Sequence, residues 1–365
     1  MASIFSFTEA TATITPQLLV NRDQLERNID QALVISNGPD RLWPHIKTHK
    51  SKDIVRLMVG KGIKKFKCAT ISECETAAEG GAKIILLAYP MVGPTITRFL
   101  DIMEAFPDIK FLGLLDDKPQ LQRLQEEASL RNITANIMID VNVGLNRTGV
   151  SPTDVVAFYN IASELSCIHV SGIHCYDGQR HESDVNVRAQ ETEKTYLEIQ
   201  EIIKKISCEY LIMGGSPSFP CYAKHPDVFL SPGTIFINDA GYEASYPDLN
   251  FPPAAAILTR VISTPHTGWF TLDLGYKGIA SDPPGQKGFL VDVPHAKPLF
   301  QNEEHWVWAM QEGYEAESPH VGDELFVIPT HICPTSALYP FFLVLHHGHM
   351  VARWDITARN RKITY

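Results

Sequence analysis

The chain has 365 residues, 44% apolar and 20% charged, the make-up of a globular protein with room for two domains or one large barrel plus an appendage. Its net charge of -10, with no basic block, argues against nucleic acid as a partner, and no apolar run approaches membrane-spanning length. Seven irregularly spaced cysteines argue against a disulfide framework, and Met1 to Thr15 lacks the basic-then-apolar pattern of a signal peptide, so a soluble, cytoplasmic protein is expected.

Pro16 to Val20 reads as a first strand, and Leu25, Ile29, Ala32 and Leu33 fall at helical spacing behind a plausible N-cap at Asn21. An apolar lead, Arg41-Leu42-Trp43, then runs into Pro44-His45-Ile46-Lys47-Thr48-His49-Lys50, a strand ending in a strand-to-helix turn. Lysine is costly to bury at a strand end unless its amine is used. A desolvated lysine beside other cationic groups becomes a nucleophile toward carbonyls, as in Schiff-base chemistry. A basic turn that binds an anion is the plainer reading.

Strands and helices then alternate. Strands are expected near Ile63–Thr70, Lys83–Pro90, Lys110–Leu115, Asn136–Asp140, Ile168–His174, Tyr210–Met213 and Val228–Leu230, with helices between them. Their apolar runs are continuous, as in strands covered on both faces of a parallel sheet. So many units in this length predict a (β/α)8 TIM-type barrel over residues 13–250. No G-x-G-x-x-G follows a strand, which weakens a dinucleotide alternative. From about Pro252 strand-like runs are separated by Pro/Gly/Asp-rich turns, predicting an all-β domain over 251–365.

In a barrel, chemistry gathers where strands end. Arg147, His174, Tyr176 and His181 follow such ends, as do the glycine turns Gly214-Gly215-Ser216 and Gly233-Thr234. Bare N–H groups at those turns suit a phosphate. With a strand-end lysine upstream they point to pyridoxal phosphate, and Arg147 suits its phenolate oxygen. In the β domain, His331-Ile332-Cys333 places imidazole and thiolate two apart on what reads as an extended segment, a donor pair that suits zinc. His346-His347-Gly348-His349 reads as a solvated hairpin turn.

These motifs together resemble the D-threonine aldolase and D-serine dehydratase family, the alanine-racemase-like or fold-type III pyridoxal enzymes. The resemblance rests on Pro44 to Lys50, Cys68-Ala69-Thr70, Glu73, Gly80 to Pro90, Gly144 to Gly149, His174-Cys175-Tyr176-Asp177-Gly178, Glu303-Glu304-His305 and His331 to Pro334. It implies a homodimer, with residues 1–12 joining the β domain. It further implies Lys47 as the Schiff-base lysine, with His45, Arg147, His174 and Tyr176 about the cofactor. Gly214, Gly215, Ser216, Gly233 and Thr234 would hold the phosphate, and His331 and Cys333 a divalent metal, zinc before manganese or magnesium. The chain departs from the family pattern at Gln179, where relatives often have histidine, leaving His181 beside Tyr176 as the acid/base. Ile235 and Phe236 replace the aromatic hydroxyl often found after Gly-Thr. The expected activity is a metal-assisted lyase on a 3-hydroxy-D-amino acid, D-serine dehydratase-like, with D-threonine aldolase and then racemase as alternatives. A cofactor carrier without catalysis is disfavoured by the β domain.

Overall fold

The computed structural model describes residues 3–365, so the first two residues of the 1–12 segment lie outside the described part. In chain order, β1 (Gln17–Asn21) leads into α1 (Arg22–Ile35), and α2 (Lys52–Gly60) follows the lysine turn. Next come β2 (Lys65–Cys68), α3 (Ile71–Glu79), β3 (Ile84–Pro90), α4 (Pro94–Ala105), β4 (Lys110–Leu115), α5 (Lys118–Arg131) and β5 (Ala135–Asp140). The alternation continues through α6 (Val155–Ser163), β6 (Ile168–Cys175), α7 (Val185–Ile203), β7 (Tyr210–Met213), α8 (Phe219–Tyr222), β8 (Val228–Leu230) and α9 (Ala240–Ser245). The remainder is β9 (Ala255–Ser263), β10 (Trp269–Leu272), β11 (Gly288–Leu290), β12 (Ala296–Gln301), β13 (Trp306–Met310), β14 (Glu324–Pro329), α10 (Ile332–Leu338), β15 (Phe341–His346) and β16 (His349–Asp355).

The chain forms two compact units. One comprises Ala32–Lys47, Ser51–Gly233 and Asn360–Tyr365. It holds a seven-stranded parallel sheet in the order β2 to β8. The ring is completed by the segment before the lysine. Leu42 bridges Leu230 and His45 bridges Lys67, both parallel, so residues 42–45 act as the eighth stave between β8 and β2. Trp43 on that stave is fully buried and donates its indole N–H to the Phe66 carbonyl at 2.7 Å. It meets Tyr210 and Phe229 edge-on, at 5.1 and 5.8 Å between ring centres. Such contacts add about 1 kcal/mol each beyond area burial. Leu86, Leu112, Leu114, Met138 and Ile212 pack around it.

The other unit comprises residues up to Gln31, Thr48–Lys50 and Thr234–Arg359. Its mixed sheet runs β12-β13-β10-β9-β1-β15-β16, with β14 paired to β9 and β11 to β14. β1, read from sequence inside the barrel segment, belongs to this sheet, antiparallel to β9 and parallel to β15. Its Leu18, Leu19 and Val20 are fully buried, and Leu19 packs with Phe5, Leu258 and Leu345. No helix among the described residues is long and apolar enough to cross a membrane.

Candidate active site

Lys47 sits on a single 3-10 turn, Ile46–Thr48, directly after the closing stave. Parallel pairing on both sides of residues 42–45 aims this turn at the strand ends, where Lys47 lines a cavity of about 400 Å³. His45, Asp140, Arg147 and His174 share the wall with the apolar Ala88, Tyr89, Pro90 and Leu114. The lysine, the arginine and two of the histidines expected at the site are therefore brought together.

Behind them lies a polar chain. The Asp140 carboxylate accepts from Thr148 Oγ1 at 2.7 Å and pairs with His174 Nδ1 at 2.8 Å. His174 Nε2 faces Lys67 Nζ at 3.4 Å. Burial, the largest influence on His174, pushes its pKa down and outweighs the pull of Asp140, so the ring is neutral. A proton on Nδ1 toward the carboxylate leaves Nε2 to accept from Lys67. For Asp140, burial acts upward but the bonds from His174 and Thr148 win, and the carboxyl is held low.

Lys67 was not singled out from the sequence. It is 2% exposed, and burial followed by the nearby Lys47 charge lowers its pKa from 10.5 to about 7. Its ammonium and the exposed Arg147 guanidinium both lie over the Tyr176 ring, at 5.5 and 5.0 Å from its centre. The only sequence signal was a lysine inside a strand flanked by Phe66 and Cys68. Asp177 was passed over as well. It accepts from Ser218 Oγ at 2.8 Å and Tyr222 Oη at 3.0 Å, and its pKa is raised by burial.

The glycine turns work differently from the expected bare-amide cradle. Gly214 N–H donates to the Cys175 carbonyl, Gly215 N–H to Ser218 Oγ and Gly233 N–H to Ser216 Oγ. Their N–H groups hold the turns together, so any phosphate there meets a shape the glycines allow. A Cβ on Gly215 would stand 2.9 Å from the Tyr176 ring. Gln179 donates to the Val143 carbonyl at 2.7 Å and so ties down the loop carrying Arg147. His181 is exposed and is not among the cavity-lining residues.

In the other unit, His331 and Cys333 occupy the start of α10 rather than an extended run. Pro334 fits the first helical turn, where its missing N–H costs nothing, and Thr335 Oγ1 closes the turn on the His331 carbonyl at 2.7 Å. The two side chains still meet. Burial works against protonation of His331, but its hydrogen bond to Cys333 and the Asp282 carboxylate 2.5 Å from Nδ1 raise its pKa to about 9. The Cys333 sulfur also lies 3.2 Å from Thr48 Oγ1 and 3.6 Å from Thr234 Oγ1, the residues that follow Lys47 and Gly233 in the chain. Asp239, also missed, accepts from Tyr242 N and Ile332 N and pins the turn that carries His331 and Cys333, its carboxyl raised by burial to about 6.

A nucleophilic amine on a cavity wall, a neutral histidine clamped by a carboxylate, and a nearby arginine suit an aldehyde cofactor carrying an anionic ring oxygen. Residues 20–238 match the family model described as "Alanine racemase, N-terminal domain", and 254–345 that described as "Putative serine dehydratase domain". The chain belongs to the alanine racemase N-terminal domain family. It is similar to a D-threonine aldolase of Arthrobacter sp (25% identity, covering 94% of this chain and 92% of that one). A D-threo-3-hydroxyaspartate dehydratase of Delftia sp. (strain HT23) is 21% identical over 93% of this chain and 96% of its own length. The crystal structure of D-threonine aldolase from Filomicrobium marinum superposes with a TM-score of 0.88 at 23% identity, covering 97% of this chain and 98% of that one. The fold is thus the alanine-racemase-like one expected from the motifs.

Proposed function

We propose that the protein is a lyase dependent on pyridoxal phosphate and a divalent metal, acting on a 3-hydroxy-D-amino acid by D-serine dehydratase-like elimination. The observation that carries this reading is Lys47 on the cavity wall with Arg147 and the Asp140–His174 pair. Lys47 Nζ would hold the cofactor aldehyde and would be the residue at hand to take the substrate's α-proton. Arg147 would neutralise an anionic ring oxygen, and His174 would present an uncharged imidazole at the cavity wall. Tyr176 offers a hydroxyl nearby, and Ser216 and Thr234 offer hydroxyls for the phosphate. His331 and Cys333 would hold the metal, zinc by the softness of their nitrogen–sulfur pair. When bound, the cofactor supplies an electron sink and the metal a Lewis acid for the 3-hydroxyl.

Retro-aldol cleavage is the second reading, favoured by the similarity to D-threonine aldolase along nearly the whole chain. His181, exposed beside the Tyr176-Asp177-Gly178 loop, would be its base. A homodimer in a reducing, cytoplasmic setting completes the proposal, in keeping with seven free cysteines.

Product analysis with D-threonine tests it. 2-Oxobutanoate and ammonia, lost on chelation while a borohydride-reducible adduct at Lys47 persists, support the dehydratase. Glycine and acetaldehyde support the aldolase. No adduct at Lys47 would sink both.

A further inference from the structure

A second cluster lies where the His346–His347 turn meets the start of α1. Asn21 at the end of β1 stands opposite Leu345 on the parallel neighbour β15. The chain then turns into α1, so Asp23 in its first turn arrives beside the residues that end β15. There the two-residue hairpin turn, with left-handed backbone at His347 (φ 51) and Gly348 (φ 76), swings consecutive histidines to one side. Their rings lie 3.9 Å apart and 31° from parallel. His346 Nδ1 is 2.7 Å from Asp23 Oδ1, and His347 Nδ1 is 3.5 Å from Asp23 Oδ2. The three donor atoms lie within 4.8 Å of one another, the only such group of three among the described residues.

Two facts distinguish this cluster from an ordinary surface ion pair. His346 Nδ1 is shut off from water, yet the nearby carboxylate oxygen lies at an angle that makes no hydrogen bond. The Asp23 carboxylate also accepts the His347 backbone N–H at 3.0 Å, which fixes it beside both rings. One carboxylate serves two adjacent, tilted imidazoles and leaves a buried nitrogen unsatisfied. An open cavity of about 410 Å³ adjoins Asp23 and His347, with room for water; Arg27 on its wall is occupied by Gln24 at 2.8 Å.

We propose that Asp23, His346 and His347 form a second metal site, binding a divalent cation of the zinc class through two nitrogens, one oxygen and water. Zinc bonds of about 2.1 Å set neighbouring donors about 3.4 Å apart in a tetrahedron, close to the 2.7 and 3.5 Å now separating nitrogen from oxygen. Bound metal would staple the β15–β16 turn to the start of α1. The inference goes beyond the lyase reading and does not depend on it.

The test uses untagged full-length protein, chelator-stripped and titrated with Co2+ and Zn2+. Cobalt at His331 and Cys333 gives a thiolate charge-transfer band, whereas the second site gives only weak ligand-field bands. In the His331→Gln/Cys333→Ser variant one equivalent should still bind, without the thiolate band. Adding Asp23→Asn or His346→Gln should weaken that binding at least about tenfold, whereas His349→Gln, on the same hairpin, should leave it unchanged. Saturation only at millimolar metal in the double variant, or retention of the ion after Asp23→Asn and His346→Gln, would overturn the proposal.

Discussion

Lys67 shows how one side chain can be held against its own solvation. Its amine is enclosed among Lys47, Arg147, His174, Tyr176, Asp140 and Asp177, and its pKa falls to about 7 from 10.5. The unfolded chain therefore binds more protons than the folded one between those values, and stability rises with pH across that window. Below pH 7 both states are charged, and the full desolvation penalty falls on the fold. Lys67→Met, similar in length but uncharged, is expected to raise the melting temperature. The gain should be largest at pH 6 and shrink steadily toward pH 10, as calorimetry across that range would show. A gain independent of pH would mean that packing, not charge, had changed. Asp239 is the counterpart in the other unit: Asp239→Ala removes acceptors from Tyr242 N and Ile332 N. Loss of these two buried bonds should cost about 2–4 kcal/mol in urea unfolding and weaken metal binding at His331 and Cys333.

At the scale of elements, the Arg147 loop depends on a glycine. Gly149 has φ +106, and a Cβ there would stand 2.5 Å from the Asn142 backbone nitrogen. That atom and the Val141 carbonyl carbon, 2.8 Å away, are both backbone, so the backbone itself must move. Asp140, Asn142 and Val150 exchange backbone hydrogen bonds at 2.9 and 3.0 Å across the loop's neck. Gly149→Ala should open that neck, at a cost of about 2–4 kcal/mol in urea unfolding. Pyridoxal phosphate affinity, read from its absorbance band, should fall at least about tenfold because Arg147 loses its mooring.

Much of this architecture is written locally. The parallel strands are continuous apolar runs, and each helix has its own spacing and breakers, so the alternation can be read directly. β12 escaped because its exposed edge carries Lys297 and Pro298, the latter beside a register shift. α10 escaped because its short helix carries no apolar period, and Pro334 reads as a breaker outside its context. Lys67, Asp177 and Asp239 escaped for another reason. A buried polar residue is recognised by its partners, and the deciding ones lie far off in the chain: Lys67 meets His174, and Asp239, besides capping α9 locally, meets Ile332. Lys47 itself could be read because its oddity, a basic cluster at a strand end, is local.

At the scale of the whole molecule, the net charge of -10 makes copies of the chain repel one another at neutral pH. The proposed homodimer is checked by sedimentation equilibrium. The protein should run at about twice its 40.8 kDa chain mass at micromolar concentration, and a purely monomeric profile would remove that part of the proposal. Dialysis against a chelator should abolish turnover without dissociating pyridoxal phosphate, since the proposed linkage to Lys47 is covalent and needs no metal.

The stave that carries Lys47 is made early and completed late. Trp43 N–H bonds the Leu230 carbonyl and His45 N–H the Pro232 carbonyl, partners nearly two hundred residues downstream. While the chain is being synthesised, the lysine turn therefore has no fixed address until residue 232 has left the ribosome. A nascent chain stopped before β8 should capture no cofactor, however complete its earlier strands, whereas one released after Gly233 has both walls of the stave. Cofactor loading would then act as a checkpoint on barrel closure, reporting that the ring has met its own beginning.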